Sequence, residues 1–465
     1  MHASIVRRLG PHRAGRFIAF ALTAGPATGW AAETAGPAQY PIEEGTAAHE
    51  ASPGRAAVRE SVSDAEQDRL LRVEQLTVAR RLTEEWPQND NAVYLLGLVC
   101  QQQGDFDEAI RCWERCIELD SQRADVFDSL GYALLLRGEY GRAAELFRRA
   151  LAIEPGRYEA RFRLADTLLR QGDPQAAIRV LDEERRSGPG TARLLGLAHQ
   201  QLGDYPAAER HYREALAGQS EMAEAYYGLA TVCARMDRPD EARAYREKFR
   251  QLKAAGQQEG RDWRRVFNPL SVTRQSVAMT HTDVARVQQS MGNLAEAERL
   301  WRRALELDPA NVQALRHLAL FDQEAGRQAE AVDLLERLCA AEPNDAEHQF
   351  LLGSALYRQE RTDDAAAAFR RVIELAPDRP EGYRALCHLL LVGERDPAEA
   401  LRLAQAAARL EPSALHLHLL SQALERNGDL PRALAASEQA AALSPRNAEY
   451  RQRYESLRQR LQKKP

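Results

Sequence analysis

The chain has 465 residues, of which 44% are hydrophobic, 28% are charged and only 6% are aromatic, and its net charge is −5. This composition is typical of a folded chain and argues against a general nucleic-acid binder, which would carry net positive charge. Abundant alanine and leucine with few aromatic residues favour helices over sheets. No apolar run beyond residue 31 is long enough to cross a bilayer, so no membrane span is predicted.

The first 31 residues differ from the rest of the chain. Four arginines without an acidic residue precede the apolar stretch 17–24, and small residues follow at Gly29 and Ala31. This pattern is typical of a secretory signal peptide, here predicted over 1–31. Residues 32–62 are rich in Ala, Gly, Pro and Glu and predict a disordered leader. We therefore expect an exported protein, periplasmic or extracellular; a cytoplasmic protein with an irregular N-terminal extension is the alternative.

Regular structure is predicted to begin at Ser63, a candidate helix N-cap, and the first helix should stop at Pro87. The apolar steps predicted to face the core of this helix are Leu70, Val73, Leu76, Ala79 and Leu82.

A repeat of 34 residues governs the chain from there on. In the copy that begins at Ala124, small and bulky positions alternate along two predicted helices, with a glycine between them and a proline after them: Leu130, Gly131, Gly138, Ala143, Phe147, Ala150 and Pro155. Ten copies share this pattern, beginning near residues 90, 124, 158, 189, 223, 278, 312, 346, 380 and 414.

These residues closely resemble the tetratricopeptide repeat family. The resemblance implies an all-α fold, a right-handed α-solenoid of antiparallel helix hairpins (a TPR superhelix). On this basis residues 63–253 hold the helical start and repeats 1–5, residues 278–447 hold repeats 6–10, and residues 448–465 form a C-terminal capping helix. Since no single repeat can bury its apolar face alone, stability should come from stacking.

The segment 254–277 interrupts the array and is predicted to be a linker that joins the two blocks of repeats. It contains Trp263 and Phe267, spaced i,i+4. One interpretation is a short helix whose aromatic side chains seal the join between the blocks. The other is a hinge or a knob for docking a partner, and the sequence leaves both open.

Catalytic motifs are absent from the sequence. It contains no phosphate-binding loop, metalloprotease helix motif, dinucleotide fingerprint or nucleophile elbow. Because the repeats account for almost every long stretch, we predict that the chain is not an enzyme and has no cofactor.

Metal-binding and disulfide patterns are equally weak. The six cysteines show no zinc or haem spacing and are interpreted as buried apolar side chains, although a disulfide between Cys100 and Cys116 stays open for an exported protein. His416 and His418 flank one residue and would point in different directions on a helix, so no metal site is predicted.

The resemblance implies that the first helix of each hairpin lines the concave face, where partners would bind. In the N-terminal half the inward positions include Tyr94, Tyr132 and Phe162. In the C-terminal half they include Arg286, Arg316, Phe350, Tyr357, Arg358, Arg384, His388 and Arg426. Arginine between aromatic residues suits carboxylates, phosphates or an acidic peptide; the alternative is that an arginine-rich sequence places arginine on every face.

Two groove chemistries known in the family are missing. The Lys and Asn positions that hold a C-terminal carboxylate in chaperone-binding members correspond here to pairs such as Tyr94 with Leu98 and Arg316 with Leu320. The asparagine ladder of the sugar-transferase members is replaced by residues such as Ser129. We therefore predict a scaffold that binds unidentified protein or peptide segments in its groove; a structural assembly factor or subunit of a secretion or envelope complex is the alternative.

Overall fold

The computed structural model describes residues 63–182, 188–266 and 269–462, without the side chains of 256–266. The predicted signal peptide (1–31) and leader (32–62) lie outside the described residues. Within the described ranges the chain forms 22 α-helices and no strand. The predicted all-α solenoid is confirmed.

The first helix, α1 (Asp64–Glu85), begins where the sequence predicts. The Ser63 side chain caps it by accepting a hydrogen bond from the backbone N–H of Glu66 at 3.3 Å. Its buried face is offset from the predicted one, because Leu70 and Val73 are more than half exposed. Leu71, Gln75, Val78, Ala79 and Leu82 are buried instead.

Ten helix hairpins follow, each with a first helix (A) and a second helix (B). The first five pair α2 (Asp90–Gln102) with α3 (Phe106–Leu119), α4 (Ala124–Leu136) with α5 (Tyr140–Ile153), α6 (Tyr158–Arg170) with α7 (Pro174–Asp182), α8 (Pro189–Leu202) with α9 (Tyr205–Gly218), and α10 (Ala223–Arg235) with α11 (Pro239–Val266). The other five pair α12 (Pro269–Ser290) with α13 (Leu294–Leu307), α14 (Val312–Glu324) with α15 (Gln328–Ala341), α16 (Ala346–Arg358) with α17 (Thr362–Leu375), α18 (Pro380–Val392) with α19 (Pro397–Leu410), and α20 (Ala414–Arg426) with α21 (Leu430–Leu443). The last helix is α22 (Ala448–Gln462).

The turn between the two helices of each hairpin requires a left-handed residue at one fixed position. Seven repeats place glycine there, for example Gly138 at φ 79° and Gly326 at φ 78°. The other three hold the same conformation with Asp237, Glu360 or Glu394, at φ 53–60°. A side chain at positive φ is strained where glycine is not, so these three turns carry a local cost.

The hairpins close through a glycine of helix A that receives an aromatic ring of helix B. A Cβ added at Gly97 would lie 2.6 Å from Nε1 of Trp113, and one added at Gly131 would lie 2.9 Å from the ring of Phe147. Both rings are fully buried. The ring therefore fills the space inside its own hairpin, which explains why a small residue recurs on helix A.

The most unexpected packing joins α1 to α12, some 200 residues along the chain. The two helices pack closely, and α12 also touches α2, whereas α11 packs on α10. Side chains bond across α1 and α12 in ascending order along both: Asp68 with Thr273, Glu74 with His281, and Glu85 with Gln288. The two helices therefore run parallel, unlike the antiparallel helices of a hairpin. We call this contact the α1–α12 seam.

The α1–α12 seam combines apolar packing with a polar network. Val78 and Leu82 of α1 belong to the same apolar cluster as Ala278 of α12. The buried Gln75 side chain donates hydrogen bonds to Gln102 Oε1 at 2.9 Å and to Thr280 Oγ1 at 3.0 Å. Because a buried amide without partners would be costly, this network fixes the register of the two helices.

The segment 254–277, expected as a linker, is helical over its described residues. Helix α11 continues from repeat 5 to Val266, and α12 begins at Pro269, nine residues before the expected start of repeat 6. The additional turns of α12 carry Leu270, Thr273 and Val277, all buried. Leu270 and Val277 share an apolar cluster with Leu71 of α1, so the extension of α12 supplies part of the α1–α12 seam.

Helix α22 covers the end of the array where the sequence predicts a capping helix. Its buried apolar side chain is Leu457, while Arg453 reaches back to Ser421 and Glu425 of α20 at 3.1 and 2.6 Å. The helix is therefore held by polar bonds as well as by its apolar stripe.

Candidate functional site

The predicted binding residues all lie on A helices, at the fifth, ninth, twelfth or thirteenth position of the repeat. Neighbouring A helices touch one another, as α4 does with α6, α6 with α8, and α18 with α20. The A helices therefore form the more closely spaced side of the array, the side that lines a concave face in a curved stack of hairpins. We call the side chains at these four positions the inner surface.

In the N-terminal half, arginines cover the predicted tyrosines. The guanidinium of Arg123 lies 4.6 Å from the centre of the Tyr94 ring, and that of Arg163 lies 4.8 Å from the Tyr132 ring. Arg163 is held by the buried Asp128 at 2.7 Å. Burial also raises the pKa of Tyr94 above its ordinary value. These two rings are therefore engaged within the protein, with one face of each already occupied.

The two predicted phenylalanines are half-buried and pack against neighbouring rings. Phe162 lies 6.1 Å from Tyr158, and Phe350 lies 5.8 Å from Phe369, a buried ring of helix α17. Phe350 contributes mainly to the edge of the core.

Most of the predicted arginines have partners inside the chain. Arg286 pairs with Asp283 at 3.2 Å, Arg426 with Glu394 at 2.8 Å, and Arg316 with Glu347. Arg358 donates a hydrogen bond to Gln323 Oε1 at 2.7 Å. The positive charge of the inner surface is therefore smaller than the sequence suggests, because acidic side chains neutralise three of these five arginines.

Three predicted residues remain available on neighbouring helices α16 and α18. Tyr357 is exposed, and its ring lies edge-on to His388 with the centroids 6.1 Å apart. Arg384 lies one turn before His388 on the same face of α18, and neither it nor His388 makes an ion pair or hydrogen bond with any described residue. A guanidinium, an imidazole and a phenol are thus presented together as donors. We call these three residues the donor cluster.

A neutral histidine lies between two of the inner arginines. The His317 ring stacks on Trp301 with the centroids 5.6 Å apart and the planes only 4° apart. Burial, followed by the positive charges of Arg286 and Arg316, lowers the pKa of His317 to about 4. His317 therefore stays uncharged at neutral pH.

The sequence analysis missed Arg123 and Arg163 as parts of the inner surface. Arg123 stands just before α4 rather than at an inward position of the repeat, and it lies 29 residues after the tyrosine that it covers. The same 29-residue spacing separates Asp128 from Arg157, at 3.5 Å. One repeat less five residues is thus a recurring contact distance, and it is the signal that would have revealed these pairs.

The six cysteines are buried and free, as predicted for apolar packing positions. Burial raises the pKa of Cys116 and Cys387 to about 12, and that of Cys100 to about 11. Cys100 and Cys116 are not joined. These thiols are therefore poor nucleophiles at neutral pH.

The described helices contain no segment that is both long and apolar enough to cross a membrane.

Comparisons with known proteins agree with this architecture. Family models described as tetratricopeptide repeat match residues 89–155, 134–200, 193–256, 283–338, 322–380 and 389–448, well over half of the chain. The cellulose synthase operon protein C of Xanthomonas axonopodis pv. citri (strain 306) is 26% identical over 297 residues, covering 57% of this chain and 20% of that protein. The cellulose synthase 2 operon protein C of Komagataeibacter xylinus is 26% identical over 325 residues, covering 64% of this chain and 24% of that protein. This chain thus spans about a quarter or less of these relatives' lengths.

Solved structures with similar folds include the MamA protein, with a TM-score of 0.34 and 21% identity over 37% of this chain and 94% of that chain. Yeast Tom70 matches with a TM-score of 0.30 and 15% identity over 82% of this chain and 89% of that chain. The hairpins, their glycine turns and the family models over most of the array lead to one assignment. The chain belongs to the tetratricopeptide repeat family.

Proposed function

We propose that the protein is a non-enzymatic scaffold that binds an extended protein or peptide segment along the inner surface, with the donor cluster as an anchor. The observation that carries the proposal is that Tyr357, Arg384 and His388 lie together and exposed or half-buried. Most of the other inner-surface arginines are bonded within the chain.

The donor cluster suits a partner that carries acceptors. An arginine guanidinium offers several N–H donors in a planar fork, which matches a carboxylate. The exposed Tyr357 ring adds apolar contact area at small entropic cost, a property that enriches tyrosine at interfaces. An acidic segment with an apolar residue beside the acid would use both groups.

The test is a capture experiment with matched charge reversals. Arg384→Glu, on the inner surface, is compared with Arg402→Glu, an exposed arginine on the outer helix α19. Partners retained from native extract by the wild-type chain should be lost with Arg384→Glu and kept with Arg402→Glu. Equal retention by both variants would contradict the inner surface as the binding site.

A second candidate function is supported by the relatives rather than by geometry. The printed names of two matching proteins refer to cellulose synthase operons, so we also propose that this chain acts as a structural subunit or assembly factor of an envelope complex. Purification of the chain from its native source at low salt would then yield it in a stoichiometric complex. Recovery of the chain alone would favour transient peptide binding instead.

We further propose that the protein is exported, on the basis of the basic and apolar residues within 1–31. Mass spectrometry of the native protein should find a mature N-terminus after Ala31. An intact start at Met1 would contradict export by this route.

A further inference from the structure

We propose that Glu342, Asp345 and His348 form a binding site for a divalent transition-metal ion of the zinc class. The three residues lie where helix α15 passes into helix α16. Glu342 is the C-cap residue of α15, Asp345 is the N-cap residue of α16, and His348 is in the first turn of α16. Sequence spacing did not suggest ligands, because the residues are six positions apart at most and include no cysteine.

The three side chains converge on one point. Nδ1 of His348 lies 3.4 Å from Glu342 Oε2 and 4.0 Å from Asp345 Oδ1, and one ligand atom from each residue falls within 4.8 Å of the others. Zinc binds imidazole nitrogen and carboxylate oxygen at about 2.0–2.2 Å. An ion between these donors therefore needs only small rotations of the two carboxylates, whose side chains are more than 40% exposed and free to move.

The histidine supplies the observation that goes beyond an acidic cluster. His348 is only 3% exposed, and its Nδ1 atom is buried with no hydrogen-bond partner among the described residues. A buried ring nitrogen without a partner is costly unless something else satisfies it. This nitrogen faces the two carboxylates, and a cation between them would satisfy it.

Repeat 10 provides an internal comparison. His416 occupies the same position of its helix and is equally buried, at 4% exposed. Its Nδ1 atom lies 2.7 Å from the backbone carbonyl of Glu411 and 3.0 Å from Ser413 Oγ, so it already has partners. Because serine replaces aspartate as the N-cap there, repeat 10 lacks the second carboxylate. The same histidine position is thus satisfied internally in one repeat and unsatisfied beside two acids in the other.

A second cluster of possible ligands is excluded by its neighbours. Glu209, Cys233 and Glu241 also lie within ligand distance of one another, but Arg238 binds Glu209 through both terminal nitrogens at 2.8 and 3.0 Å and also binds Glu241. An arginine already neutralises these carboxylates, so this cluster is an ion-pair network.

The proposed site favours zinc over the alkaline-earth ions. One imidazole nitrogen and two carboxylate oxygens suit zinc or cobalt, whereas calcium and magnesium prefer oxygen ligands alone and more of them. Three protein ligands also leave a fourth position open toward solvent, since Glu342 and Asp345 are exposed.

Isothermal titration calorimetry of the chelator-treated, tag-free chain with zinc chloride tests the proposal. We expect one ion per chain, and Glu342→Gln should weaken its binding at least about tenfold. Asp345→Ser should weaken binding similarly while keeping the helix cap, because serine performs that role in repeat 10. Since both residues lie on the rim, these variants test the site even if His348→Gln fails to fold.

The control variant is His416→Gln, which should leave zinc affinity unchanged. Magnesium chloride should bind at least about a hundredfold more weakly than zinc. The proposal is overturned if the wild-type chain takes up no zinc, or if Glu342→Gln and Asp345→Ser bind zinc as the wild type does. Equal affinity for magnesium would also overturn it.

Discussion

The α1–α12 seam makes a quantitative prediction about Glu74. This residue of α1 accepts two hydrogen bonds from Arg303 of α13, at 2.8 and 2.9 Å, and its Oε1 atom also lies 2.9 Å from His281 Nε2. The pair is bidentate and only about one third exposed on each side. If α1 docks on repeat 6 in solution, Glu74 and Arg303 should be energetically coupled although they are 229 residues apart.

The magnitude follows from the geometry. A fully exposed ion pair contributes about 0.2–1 kcal/mol, and hydrogen bonds to charged groups contribute about 1.5–3 kcal/mol when buried. A bidentate pair at one-third exposure lies between these cases, so we expect a coupling free energy of about 1–1.5 kcal/mol. The perturbation is a double-mutant cycle of Glu74→Gln and Arg303→Gln, measured by urea unfolding of the full chain.

The control cycle uses Glu296 and Arg299, an i,i+3 pair within α13 at 2.7 Å. Its coupling should be about 0.3–0.5 kcal/mol, because it is local to one exposed helix face. A Glu74–Arg303 coupling within about 0.3 kcal/mol of zero, the usual error of additivity, would refute the docking of α1 on repeat 6.

Four further predictions follow from the packing and the charges. Gly97→Ala should destabilise the fold by about 1–3 kcal/mol because its Cβ meets Trp113, whereas Gly156→Ala, in open space, should cost little in the same unfolding experiment. Glu360→Gly should raise the free energy of unfolding by about 0.5–1 kcal/mol by relieving a left-handed glutamate, and Gly326→Ala at the equivalent turn should lower it; a loss with Glu360→Gly would contradict the strain. Hydrogen bonds from Arg303 and His281 lower the pKa of Glu74 to about 2 from 4.5, so its stabilisation is present above pH 4.5 and is lost as the pH falls towards 2; Glu74→Gln should flatten the stability profile in that window. A thiol reagent at pH 7.5 should label none of the six cysteines in the native chain and all six in urea, and rapid native labelling would contradict their burial.

The repeat architecture could be predicted from sequence because each structural requirement recurs at a fixed position. Gly138 marks the left-handed turn, and Gly131 marks the place where the ring of Phe147 enters. The same turn is formed by Glu360, whose side chain gives no hint of a positive φ. Periodicity therefore identified that turn where composition alone would not.

The α1–α12 seam could not be predicted in the same way. Its contacts join residues about 205 positions apart, such as Gln75 and Thr280, and no periodic pattern relates one to the other. The exposed Leu70 and Val73 were indistinguishable from core positions until the partner helix was placed. The choice of buried face depends on a neighbour that local sequence does not specify.

The inner surface shows a related limit. Its positions were predictable from helix periodicity, but the charge that it presents was not. Arg316 and Arg426 lie at inward positions as expected, yet Glu347 and Glu394 from neighbouring repeats pair with them. Arg384 is left available because no acidic side chain reaches it from the repeats on either side. Availability is thus a property of three-dimensional neighbours rather than of residue type.

The most direct test of the proposed binding surface is site-specific photo-crosslinking in native extract. A photoreactive residue replaces His388 in the donor cluster, and in a second variant it replaces Gln405, which is exposed on the outer helix α19. The proposed function predicts that a discrete partner becomes covalently attached at position 388 and not at position 405. Attachment of the same partner only at position 405 would contradict binding at the inner surface.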